Sequence, residues 1–104
     1  MQTSIIGQEV TLTQAVAECY AFSPRKKTGA GICFEITFPD GNRSLKFGKN
    51  WNRVLKKWQY FEKMPGLPAF ACEEAHFIPN IVSNAGIPLV YSAQQGKQRI
   101  VRIK

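Results

Sequence analysis

The pattern that most constrains how this chain can fold lies in residues 30–47. Large apolar side chains occupy alternate positions there: Ile32, Phe34, Ile36 and Phe38. This period of two is typical of a strand with one buried face. The dipeptide Asp40-Gly41, which follows, is a strong signal for a two-residue hairpin turn. We therefore predict a β-hairpin with strands at 30–38 and 42–47.

A hairpin folded at this turn has a definite register. The expected facing pairs are Ile36 with Leu45, Phe34 with Phe47 and, on the other face, Glu35 with Lys46. Apolar side chains then meet apolar side chains and opposite charges meet, which is the arrangement that stabilises neighbouring strands. A slip by one residue would lose both matches, so the register is specified by the sequence.

Two helices are expected beside this hairpin. Thr11 and Gln14 have the spacing of a capping box, and apolar residues follow at helical intervals, which predicts a helix over 12–22. A second apolar stripe at helical spacing predicts a helix over 51–63. Its members are Trp51, Val54, Leu55, Trp58 and Phe61.

Further strands are predicted at 87–92 and 98–103, where apolar and β-branched residues flank a polar turn. Residues 67–86 give no clear pattern. With 104 residues the chain has room for one core, so we expect a single globular domain over 1–104. The predicted fold class is α+β: an antiparallel sheet of about four strands with two main helices packed on one face.

Positive charge is concentrated in one part of the chain. The net charge is +7, from 14 Lys and Arg against 7 Asp and Glu, and the isoelectric point is about 9.6. Between residues 43 and 63 there are seven bases, and Glu62 is the one acid; residues 64–96 contain no Lys or Arg. Such clustering favours a surface that meets an anionic partner, and a nucleic acid fits best.

We therefore expect a small basic accessory protein that contacts the phosphate backbone of DNA or RNA through its basic helix and hairpin. Tyr60 lies off the apolar stripe of the predicted helix, so it is a candidate for stacking on a base. The candidate contact residues are Arg43, Lys46, Lys49, Arg53, Lys56, Lys57, Tyr60, Lys63, Arg99 and Arg102.

Two other classes of function stay open. The first is an inhibitor or adaptor of phage or plasmid type, which would dock its basic surface on an acidic host protein. The second is a small ribonuclease of toxin type, in which Glu74 and His76 would serve as general base and acid. A binding protein is favoured over an enzyme, and no catalytic residue is assigned.

The three cysteines, Cys19, Cys33 and Cys72, are far apart and form no CxxC pair. They are expected to be buried, reduced thiols, which fits a cytoplasmic protein. Cys72 and His76 provide at most half a metal site, so no metal or cofactor is predicted. The first ten residues lack the features of a signal peptide, and no stretch approaches the length of a membrane span, so no membrane partner is expected.

Overall fold

The computed structural model describes residues 3–23, 31–37, 44–72 and 99–104. One helix and six strands lie in these ranges: β1 (Glu9–Val10), α1 (Leu12–Ala21), β2 (Ile32–Thr37), β3 (Ser44–Asn52), β4 (Lys57–Lys63), β5 (Phe70–Cys72) and β6 (Arg99–Arg102). The strands form one sheet in the order β1-β6-β2-β3-β4-β5, and each neighbouring pair is antiparallel. The α+β class and the antiparallel sheet are therefore confirmed, but the sheet of the described residues has six strands where about four were expected. The predicted strand at 87–92 lies outside the described residues.

The first hairpin has the register that the alternation and the turn predict. Its facing pairs are Ile36 with Leu45, Phe34 with Phe47 and Glu35 with Lys46. The rings of Phe34 and Phe47 stack at 5.7 Å between centroids, and both side chains are fully buried. The turn residues themselves lie outside the described part of the chain.

The first helix is also confirmed. The Thr11 side chain accepts a hydrogen bond from the amide of Gln14 at 3.1 Å, so it caps α1 as the sequence indicates. Apolar side chains on one side of α1 pack on the sheet. The buried core comprises Leu12, Ala15, Val16, Cys19, Ile32, Phe34, Ile36, Leu45, Phe47, Tyr60 and Ile100.

The prediction of a second helix over 51–63 is wrong. β3 runs on to Asn52, residues 53–56 form a turn, and β4 then returns beside β3 with Trp58 opposite Trp51. β3 is already held as a strand by its pairing with β2, so the strand continues past Lys49 to Asn52. Aromatic and β-branched residues, which are common in this segment, pack well on a pleated sheet. The described chain therefore has one helix where two were expected, and Val54 and Leu55 lie in an exposed turn instead of the core.

No helix in these four described ranges is long and apolar enough to cross a membrane.

Candidate nucleic-acid interface

The hairpin of β3 and β4 has two chemically different faces. Side chains alternate along a strand, so each strand sends every second residue toward α1. Phe47 and Tyr60 belong to the core that includes α1, and they define the inner face. Lys46 precedes Phe47 in β3 and faces Lys63 of β4. This pair defines the outer face, which points away from the helix.

Two of the candidate contact residues are buried on the inner face. Lys49 is 8% exposed; its Nζ donates a 2.8 Å hydrogen bond to the carbonyl oxygen of Phe22 and lies 5.2 Å from the centre of the Tyr60 ring. The Tyr60 ring in turn meets Tyr20 of α1 edge to face at 5.4 Å. Both residues therefore hold the end of α1 on the sheet.

Arg102 also has structural contacts. Its guanidinium donates to the carbonyl oxygen of Ser4 and, at 3.1 Å, to that of Lys104. Ser4 is held from the other side, because its amide and its hydroxyl both donate to the buried carboxylate of Glu18 at 2.8 Å. Arg102 and Glu18 together fasten the N-terminal segment to the sheet and the helix.

Five other candidates lie on the outer face or at the turn of the hairpin. They are Lys46, Arg53, Lys56, Lys57 and Lys63. The only acid between residues 44 and 63, Glu62, is fully buried on the inner face. The outer face and the turn of the hairpin consequently carry five cations and no carboxylate; four of the cations are exposed and Lys63 is half-buried.

Like charges face each other directly across this outer face. Lys46 is opposite Lys63, an arrangement that costs stability when no anion lies nearby. Glu35 on β2 is the neighbour of Lys46 on the other side and offsets part of that repulsion. An anionic partner over the two lysines would relieve the remainder.

The other two candidates have a different position. Arg99 lies on β6, beyond β2, and forms an exposed 3.4 Å ion pair with Glu9. Arg43 lies outside the described residues. The register places Arg99 on the same face of the sheet as Lys46, but β2 lies between it and β3, and Glu9 pairs with it.

The turn end of the hairpin extends past the neighbouring strands. The pairing of β2 with β3 ends at Lys49, and that of β5 with β4 ends at Tyr60. Within the described chain, residues 50–59 therefore pair only with one another, and we call this segment the ribbon. Its three facing pairs are Asn50 with Gln59, Trp51 with Trp58 and Asn52 with Lys57.

Asn52 gives the end of the ribbon a fixed shape. Its side-chain oxygen accepts hydrogen bonds from the amides of Val54 and Leu55, both at 2.9 Å, while its nitrogen donates to Gln59 at 2.9 Å. Lys56 adopts a left-handed backbone with φ of 54°, which closes the turn. The turn is thus held by side-chain bonds and by its own backbone.

The turn at the end of the ribbon, residues 53–56, is called the ribbon tip, and it was not predicted from the sequence. Val54 is 88% exposed and Leu55 is 57% exposed, so two aliphatic side chains stand in water between Arg53 and Lys56. The sequence does contain a signal for this structure. Asn52 precedes the four residues 53–56, and after them Trp58, Tyr60 and Glu62 occupy every second position, as in a strand. That signal fits a longer hairpin loop and a second strand.

The described thiols are buried in the fold. Burial raises the pKa of Cys19 to about 12, and burial likewise raises the pKa of Cys33. No group of three or more potential metal ligands occurs in the described ranges. Glu73, Glu74 and His76, the centre of the ribonuclease hypothesis, lie outside those ranges, and so does the side chain of Cys72.

No protein-family model, no curated protein and no solved structure matches this chain.

Proposed function

We propose that this protein is a small nucleic-acid-binding accessory protein that contacts phosphates with the outer face and the tip of its β3–β4 hairpin. One observation carries the proposal. Six Lys and Arg residues lie between 44 and 63; only Lys49 is buried, and the single acid, Glu62, is buried too. Five cations therefore lie together on the outer face and the turn, four of them exposed and Lys63 half-buried. Each cation that replaces condensed counterions on a phosphate backbone adds to the affinity.

The spacing of these cations supports contact with several phosphates at once. Lys46 and Lys63 lie level with each other, and Lys57 lies level with Asn52, six residues further along β3. At roughly 3.3 Å per residue, the two groups are about 20 Å apart. A surface of this length reaches more than one phosphate along a strand.

Four of the candidate residues in the described ranges do not belong to the proposed contact surface. Lys49, Tyr60 and Arg102 are left out because each is engaged in holding the fold together. Arg99 is left out because Glu9 pairs with it at the other side of β2.

The test is a titration of labelled duplex DNA, stem-loop RNA and single-stranded DNA, followed by fluorescence anisotropy at about 50 mM salt. Lys57→Gln should weaken binding severalfold, because it removes one phosphate contact. Arg99→Gln is the matched control, since it removes one exposed cation outside the hairpin, and it should leave the affinity nearly unchanged. If wild-type protein binds none of the three nucleic acids, the proposal fails and an acidic protein becomes the better candidate partner.

A further inference from the structure

The tip of the ribbon combines two features that plain phosphate binding does not need together. Val54 and Leu55 are 88% and 57% exposed, and Arg53, Lys56 and Lys57 adjoin them in the chain. Cations beside phosphates explain the three basic residues. They do not explain why two aliphatic side chains project into water at the same point.

We propose that the ribbon tip is a wedge for double-stranded DNA. Val54 and Leu55 enter the minor groove and insert between adjacent base pairs, while the neighbouring cations bind the flanking phosphates. Proteins that bend DNA from the minor groove commonly insert apolar side chains in this way and unstack the step. This inference rests on the proposed function and specifies its partner as duplex DNA.

The dimensions of the ribbon require the minor groove to widen for this contact. Two paired strands lie roughly 4.8 Å apart, and three facing pairs carry the turn about 10 Å beyond the neighbouring strands. The minor groove is about 6 Å wide, so entry of the tip requires that the groove open. Such opening accompanies a kink toward the major groove.

The tip is also ordered before any contact. Asn52 bonds the amides of Val54 and Leu55, and Trp58 packs on both Trp51 and Phe22 at the inner face. A preordered wedge loses little conformational freedom when it binds, so more of the contact energy is available to unstack the bases.

An anionic membrane surface is the other partner that an apolar and basic tip could meet. Trp side chains favour the membrane interface, but Trp51 and Trp58 pack on each other and, through Trp58, on Phe22. Only Val54 and Leu55 remain for insertion at the tip. A single myristoyl chain, which is larger than these two side chains together, gives only marginal membrane binding. Duplex DNA is therefore the favoured partner.

The experiment uses a short duplex with 2-aminopurine at a central TA step, a step that unstacks easily, and a fluorophore pair at its two ends. Wild-type protein should raise the 2-aminopurine emission and shorten the end-to-end distance. The double variant Val54→Ser/Leu55→Ser should bind with an unchanged salt dependence, because every cation is retained, yet lose most of both signals.

The matched control is Ile5→Ser/Ile6→Ser. Ile5 and Ile6 are also adjacent and exposed, at 71% and 67%, but lie in the N-terminal segment. This control should keep both fluorescence signals. Circular dichroism spectra of both variants check that they fold, and the Val54 and Leu55 changes lie in an exposed turn.

The outcomes separate the wedge from the proposed function. If wild-type protein binds the duplex without changing either signal, or if Val54→Ser/Leu55→Ser retains them, the wedge is wrong and phosphate binding stands. If no nucleic acid binds, the proposed function itself fails. Tighter binding to phosphatidylserine-containing vesicles than to duplex, abolished in the same variant, would overturn the wedge in favour of a membrane contact.

Discussion

Trp51 and Trp58 face each other across β3 and β4, with ring centroids 5.4 Å apart and ring planes at 70°. The Trp58 ring also meets the ring of Phe22, just after α1, at 5.2 Å and nearly at a right angle. Edge-to-face contacts of this kind add stability beyond the burial of area. The pair therefore joins the base of the ribbon to the end of the helix.

Trp58→Ala should lower the free energy of unfolding by about 2 kcal/mol. The value lies below the roughly 3–5 kcal/mol typical of a fully buried aromatic residue, because Trp58 is only half-buried. Urea denaturation measures the change. Leu55→Ala, in the exposed turn of the same hairpin, should stay within about 0.5 kcal/mol of wild type. Equal effects of the two substitutions would contradict the role given to the Trp pair.

Substitution by Met should affect stability at Lys49 but not at Lys46. Lys49→Met removes the donor to the Phe22 carbonyl, so the free energy of unfolding should fall by about 2 kcal/mol. Lys46→Met removes an exposed side chain and should change stability by no more than about 0.5 kcal/mol. In a duplex-binding titration the folded Lys46→Met variant should be weaker than wild type.

The stability part of this comparison is independent of any ligand. If Lys49→Met is as stable as wild type, the hydrogen bond to Phe22 does not hold the end of α1. A Lys46→Met protein that binds duplex as tightly as wild type would remove Lys46 from the proposed interface.

Glu18→Ala should release the N-terminal segment. The Glu18 carboxylate is buried and accepts from the amide and hydroxyl of Ser4 and, at 3.2 Å, from the side chain of Gln14. Loss of this acceptor leaves several donors unsatisfied, so the free energy of unfolding should fall by about 3 kcal/mol. Hydrogen exchange at the Ser4 amide should accelerate more than exchange within β2. The exposed Glu9→Ala is the comparison, with an expected cost below about 1 kcal/mol.

The buried thiol of Cys19 should make stability fall in alkaline solution. Burial raises its pKa from 9.0 to about 12 in the folded protein, whereas the unfolded chain releases this proton near the ordinary value. Above pH 9 the unfolded state therefore binds fewer protons. The contribution of the Cys19 thiol to stability is complete below pH 9. It is lost as the pH rises toward 12, by up to about 1.4 kcal/mol per pH unit.

Denaturation of wild type and Cys19→Ala between about pH 8 and pH 10.5 measures this contribution. The difference in unfolding free energy between the two proteins should be constant below pH 9. Above it, wild type should lose stability faster. Parallel pH profiles throughout would show that Cys19 ionises alike in the folded and unfolded states.

The parts of the fold that the sequence predicts are those where local signals agree. The alternation through Phe34 and the turn signal that the sequence carries at Asp40-Gly41 both predict the register that β2 and β3 adopt. Thr11 likewise marks the start of α1, because its side chain accepts a hydrogen bond from the amide of Gln14, only three residues further along the chain. In both places a short segment contains the information that determines its structure.

The segment from 51 to 63 could not be assigned in this way. Trp51 and Trp58 are seven residues apart, which places them on one side of a helix but also directly opposite each other across a four-residue turn. The choice depends on how far β3 continues: it pairs with β2 as far as Lys49 and runs on to Asn52, and no signal within residues 51–63 specifies that extension. The change of structure also exchanges Tyr60 and Phe61: as a strand, β4 buries Tyr60 on the inner face and turns Phe61 to the outer face.

The salt dependence of duplex binding measures how many phosphates the hairpin contacts, because the proposed interface consists of five cations on its outer face and turn. If most of these cations contact phosphates, the logarithm of the association constant should fall linearly with the logarithm of the salt concentration, with a slope of about −4. Lys46→Gln/Lys63→Gln should make that slope shallower by about 2. A slope near zero, or an unchanged slope in the double variant, would show that these cations do not bind phosphates.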